Sequence, residues 1–189
     1  MEEAVLQPVR SVQLCAGAAE ARAMPRGRVA LAVEAGTGRV MNPFFDPAAQ
    51  AFGPDHEEPQ AHTEVLSGYA ARLAARLDAR GGLAGKRVLE AGCGRGEFLK
   101  GLCAAAGCEG LGVDPVCAAG REGAVRLEAG TLDARHRAFG ADLVLCRHTL
   151  EHMADPLAFL RTLREAAGDA PRFLDVPEAG RVFAEGAFW

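Results

Sequence analysis

"RVLEAGCGRGEFLKGL", Arg87 to Leu102, sets Gly92, Gly94 and Gly96 one residue apart directly behind a short apolar run. "RVLEAG" reads as a strand ending in glycine. "GEFLKGLCAAAG" reads as a helix with Phe98, Leu99, Leu102 and Cys103 on one face, stopped by Gly107. Strand, bare turn and helix in this order bring exposed backbone to a ligand at a helix N-terminus. Dinucleotide folds use G-x-G-x-x-G there, and its N–H groups cradle a pyrophosphate. Here the spacing is G-x-G-x-G, and Glu90 stands at the strand end just before it. A carboxylate in that place repels a pyrophosphate and suits a ligand carrying an ammonium and a sulfonium.

S-adenosylmethionine (SAM) is such a ligand. Glu90, Gly92, Gly94 and Gly96 resemble the first motif of class I SAM-dependent methyltransferases. The resemblance implies contacts from the loop backbone, with Cys93 inside it, to the methionine part of the cofactor, and places the acid near the amino group. An ordinary strand-to-helix turn is the competing reading. The next strand, "GCEGLGVDP", ends at Asp114 and Pro115. In an open α/β sheet two such strand ends lie side by side at the carboxyl edge. There Asp114 can accept both ribose hydroxyls, each charge-assisted bond contributing roughly 1.5–3 kcal/mol. A solvated turn acid is its bland alternative. A third segment, "ADLVLCRHTLEHMADPLAFL" (141–160), is similar to the fourth-strand region of many methyltransferases, where "LEH" and a "DP" helix start follow the strand. Adenine recognition is less defined. Relatives often carry an acid near Gly130, and here Asp133 is the nearest, either an adenine contact or a solvent-facing loop residue.

The surrounding pattern supports an α/β fold. Beyond the two strands already named, "AVRLEAG", "ADLVLCRH" and "PRFLDVPE" complete five strand candidates. "MADPLAFLRTLREAAG" is a helix with Asp155 as N-cap, Pro156 in the first position and a stripe of Leu157, Leu160 and Leu163. "TEVLSGYAARLAARLDARGG" is an amphipathic helix with Leu66, Tyr69, Leu73 and Leu77 on one side, ended by Gly81-Gly82. The expectation is an open, mostly parallel Rossmann-like methyltransferase sheet over 63–189, covered on both faces. Residues 1–62 differ: "RVALAVEAGTGRVMNP" reads as a hairpin turning at Gly36-Thr37-Gly38. The proline- and acid-rich stretch after it reads as a linker.

Methyl transfer is an in-line displacement driven largely by proximity, and an acceptor usually also loses a proton. His148 follows the fourth strand and is a candidate general base or a polar wall residue, and also a cofactor contact. Glu151 and His152 occur in relatives of differing substrate, which favours a part in the cofactor pocket. Cys93 is small enough to pack under the loop, Cys146 belongs in the core, and His56 and His62 sit in the acidic linker.

Composition narrows the classes. The net charge is −4 and the basic residues are scattered, so no nucleic-acid surface is expected. No apolar run of about 18 residues suggests a membrane span, and the N-terminus lacks signal-peptide order. The cysteines at 15, 93, 103, 108, 117 and 146 form no C-x-x-C pair. Reduced thiols and a cytoplasmic location follow as the default.

"GRVMNPFFDP", "CRHTLEHMADPLAFLRTLRE" and "GAFW" resemble bacterial methyltransferases related to nucleotide-sugar C-methyltransferases. Such relatives open with a zinc ribbon of two C-x-x-C knuckles. Here Cys15 stands alone, Ala18 replaces its partner, and Glu34 and Thr37 occupy the second pair's places. One thiolate does not make a four-ligand zinc site, so the N-terminal segment is expected to be a degenerate ribbon without metal. The resemblance implies a small-molecule acceptor, a sugar or a secondary-metabolism intermediate. It also implies seven strands, of which five are seen, so a C-terminally shortened chain is expected. Its last strand would need a partner chain or self-association to cover its edge. Two rivals stay open: a non-catalytic SAM-binding module, and an NAD-binding oxidoreductase, which the glycine spacing and Glu90 disfavour.

Overall fold

The computed structural model describes residues 4–9, 15–46, 48, 63–178, 180 and 184. They fall into two compact units, one running to Ala48 and one starting at Thr63. In the first, β1 (Val5–Pro8) pairs antiparallel with β2 (Arg26–Val29) across α1 (Ala18–Ala23). The pair β3 (Ala32–Val33) and β4 (Val40–Met41) closes over a turn at 35–37. The hairpin expected over "RVALAVEAGTGRVMNP" is therefore real but short, because Arg26–Val29 pairs with β1 instead. Asn42 marks the break: its side chain accepts from Ala30 N–H and donates to Arg28 C=O. Glu34 accepts from the Thr37 hydroxyl at 2.6 Å and from Arg39. Among the described residues no cluster of His, Cys, Asp or Glu could hold a metal ion.

The second unit begins with α2 (Glu64–Gly81), capped by the Thr63 hydroxyl and ended by Gly82 in the left-handed region. Only its C-terminal half is core: Leu73, Ala74 and Leu77 are buried, while Leu66 and Tyr69 are exposed. The expected stripe thus splits, since Tyr69 turns its hydroxyl to Asp175. There follow β5 (Arg87–Ala91), α3 (Glu97–Ala106), β6 (Glu109–Asp114), β7 (Gly120–Glu122), β8 (Val125–Ala129), β9 (Leu143–Arg147), α4 (Pro156–Ala167) and β10 (Arg172–Asp175). The sheet order is β10-β9-β5-β6-β8-β7, with every pair parallel except β7 with β8. This is the open Rossmann-like sheet expected, with a sixth strand added. The short, fully exposed β7 carries no apolar period, so only its pairing with β8 reveals it.

Side chains of β5 alternate between two cores. Val88 joins Leu99, Leu102, Val125, Leu127 and Leu145 beneath α2 and α3. Leu89 and Ala91 join Leu111, Val144 and Cys146 against Leu163, Ala166 and Ala167 of α4. Asp155 caps α4 through Ala158 N–H at 2.9 Å. The α4 stripe is rotated from the expected one: Leu157 is 53% exposed, and the two alanines take its place. β10 forms one end of the sheet order. No described helix is long and apolar enough to cross a membrane.

The thiols depart from expectation at one place. Cys103, in the last turn of α3, and Cys108, just before β6, form a disulfide. Gly107 at φ 72° reverses the chain between them and brings their Cα atoms to 4.5 Å. Cys15, Cys93, Cys117 and Cys146 lie outside this disulfide.

Candidate functional site

The parallel register aligns the carboxyl ends of three neighbouring strands, β9, β5 and β6, with Ala91 opposite both Cys146 and Val113. That edge collects Glu90, the glycine loop, Asp114 and Pro115, and His148. Glu90 is 2% exposed. Gly92, Gly94 and Gly96 have φ of 71°, 54° and 75°, a left-handed conformation that side chains resist. Two of them also need bare space. A Cβ on Gly92 would collide with the Thr149 side chain, and one on Gly96 would lie 2.7 Å from Leu127.

Four of the loop's donors are spent inside the protein. Gly92 and Cys93 N–H groups donate to Val113 C=O, Gly94 N–H to Asp114 Oδ2, and Gly96 N–H to Cys93 C=O. A pyrophosphate needs those donors. What the loop and its neighbour Glu90 offer instead is acceptor oxygen, which suits a cation. Asp114 is the hinge of this arrangement. Its Oδ2 holds Gly94 and its Oδ1 accepts from Val116 N–H, each at 2.9 Å. A carboxylate has about four acceptor sites, so capacity for further donors remains.

Cys93 packs its sulfur over the bare Cα of Gly112, where a Cβ would meet Sγ at 2.6 Å. Burial, then the Glu90 carboxylate, pushes its thiol far up, so it is a neutral packing group. Cys146 is likewise held up, to about 11, by burial and then Glu151.

His148 has φ 46°, the only positive value at a non-glycine residue among those described. Its N–H donates to Asp175 C=O at 2.8 Å. Its ring lies between two carboxylates, Nδ1 3.7 Å from Glu151 and Nε2 3.6 Å from Asp175. His152 is exposed on the following 3-10 turn, Leu150–His152. Asp133 is the N-cap of the 3-10 helix Ala134–Phe139. It accepts from Arg135 N–H, and its own N–H donates to His136 Nδ1 at 3.0 Å. Its carboxylate is engaged in that cap.

Three side chains at this edge escaped the sequence reading. Asp175, at the end of β10, accepts from the Tyr69 hydroxyl at 3.2 Å. Burial, then the Asp175 charge, raises Tyr69 above the ordinary phenol value. Arg147, the last residue of β9, is 7% exposed. Its guanidinium lies 3.9 Å over the Phe98 ring, with Nε 3.7 Å from Asp175. A charged residue closing the apolar run "LVLCR" was the available signal for Arg147. Tyr69 and Asp175 had none, being 106 residues apart. A cavity of about 510 Å³ lies elsewhere, lined by Arg87, Arg121, Arg126, Glu128 and His136. Glu128 already pairs there with Arg126 at 3.1 Å and His136 at 3.5 Å.

The family profile described as "Methyltransferase domain" matches residues 60–177. A crystal structure from Anabaena variabilis ATCC 29413, provisionally described as a methyltransferase from an antibiotic biosynthesis pathway, aligns at 15% identity with a TM-score of 0.44. That alignment covers 55% of this chain and 44% of the other. Among curated proteins none matches.

Proposed function

Because the chain belongs to the methyltransferase-domain family, we propose that it binds SAM at the carboxyl edge of β9, β5 and β6 and directs its methyl group to a small-molecule acceptor. One observation carries this reading. The glycine loop has used its N–H groups of residues 92, 93, 94 and 96 internally, beside a buried Glu90. Such a loop favours a cationic amino-acid end and disfavours a pyrophosphate.

When bound, SAM supplies a methyl group on a sulfonium centre. Glu90 would hold the ammonium, and the remaining acceptor sites of Asp114 would take ribose hydroxyls. Pro115 stiffens the turn beside them. His148 takes the acceptor's proton on a ring nitrogen, and Glu151 and Asp175 flank that ring at 3.7 and 3.6 Å. The acceptor class, a sugar or a secondary-metabolism intermediate, rests on the resemblance of "GRVMNPFFDP", "CRHTLEHMADPLAFLRTLRE" (146–165) and "GAFW" to nucleotide-sugar C-methyltransferases.

Calorimetric titration with S-adenosylhomocysteine and with NAD tests the cofactor. Binding of NAD without a response to S-adenosylhomocysteine would end the reading. Incubating methyl-labelled SAM with candidate sugars and hydroxylated small molecules tests the transfer. Cofactor binding without label in any product favours a non-catalytic SAM-binding module.

A further inference from the structure

We propose that Arg147 receives the carboxylate of the methionine moiety of SAM, an assignment that rests on the cofactor reading above. Arg147 is buried, and its Nε has no hydrogen-bond partner. Asp175 Oδ2, at 3.7 Å from that nitrogen, is beyond hydrogen-bond reach. The Phe98 ring beneath the guanidinium offers a cation–π contact, which compensates only part of the cost of removing a charge from water. A buried guanidinium of this kind calls for an oxyanion with planar, paired acceptors.

Its place in the sheet identifies which one. Glu90 pairs in register with Leu145 across β5 and β9. By strand alternation, Glu90 shares a face with Val88, and Arg147 shares a face with Leu145. Val88 and Leu145 lie in the same core cluster beneath α2 and α3. A buried acid and a buried base therefore sit as diagonal neighbours on one face of adjacent strands. Phe98, which holds the guanidinium, lies in the first turn of the helix that the glycine loop opens. The pair is complementary to the two charges of an α-amino acid, ammonium toward Glu90 and carboxylate toward Arg147. An acceptor bearing its own carboxylate is the other source of this chemistry.

Two probes separate these sources, S-adenosylhomocysteine and 5′-methylthioadenosine, which lacks the amino-acid end. Both are titrated calorimetrically into the full-length chain, its Arg147→Gln variant and its Arg147→Lys variant. Arg147→Gln is expected to weaken S-adenosylhomocysteine about tenfold to a hundredfold and to leave 5′-methylthioadenosine unchanged. Arg147→Lys should recover part of the loss, because it keeps the charge without the planar fork. Unchanged binding of both probes by Arg147→Gln overturns the assignment and leaves the acceptor carboxylate as the partner. Equal loss of both makes Arg147 a structural residue and overturns it too. A parent chain that binds neither probe removes the cofactor reading and this assignment together.

Discussion

Each oxygen of Asp114 accepts one backbone N–H, so this residue organises the glycine loop before any ligand arrives. Asp114→Ala removes that tie along with the charge that, in the proposed reading, meets the ribose. The variant is expected to bind S-adenosylhomocysteine roughly tenfold to a hundredfold more weakly by calorimetry. Parent-like affinity would show that the ribose lies elsewhere. This residue was legible because loop and acid stand in consecutive strand ends, where spacing along the chain is also proximity in space. Tyr69 and Asp175 were not, because the fold brings together residues 106 apart in the chain. The Tyr69 position looked like core only because its helical period was right.

At the scale of elements, apolar runs located five strands of the main sheet. β5, β6 and β9 are buried on both faces and apolar nearly throughout, while β8 and β10 alternate in burial along the strand. β7 and the β1–β2 pairing lie outside that logic: their residues are mostly exposed, and backbone pairing alone defines them. α2 shows the same limit within one helix. Leu77→Ala is expected to destabilise by about 2–5 kcal/mol. Leu66→Ala should change stability by no more than about 0.5 kcal/mol. Chemical denaturation of the two variants checks this, and equal losses would mean that the N-terminal half of α2 is also packed. The disulfide at the α3–β6 turn closes a short loop and stabilises by about 2 kcal/mol in the chain-entropy view. Thiol titration of the unfolded, unreduced chain should find the four cysteines outside the bridge, 15, 93, 117 and 146. Finding every cysteine reactive would disprove the bridge.

For the whole molecule, the buried thiols set a ceiling on alkaline stability. Cys93 and Cys146 both titrate higher in the folded chain than the ordinary thiol value of 9.0. The folded state therefore holds these protons more tightly than the unfolded one. Their contribution is complete below pH 9 and fades as the pH climbs through the folded values, about 11 for Cys146. Each group removes up to about 1.4 kcal/mol per pH unit in that window. Thermal unfolding from pH 8 to 11 should show this decline, with Cys146→Ala showing a shallower one. A flat profile would contradict the burial of these groups.

The left-handed backbone at His148 carries one further consequence. A residue with a side chain is strained there by about 1–2 kcal/mol, and glycine is not. His148→Gly should therefore unfold at a higher temperature than His148→Ala, although both lose the imidazole. The parent holds a ring between two acids at a place where a bare residue would fit the fold better. The turn after β9 is thus a point where the fold carries a cost that a bare residue would remove.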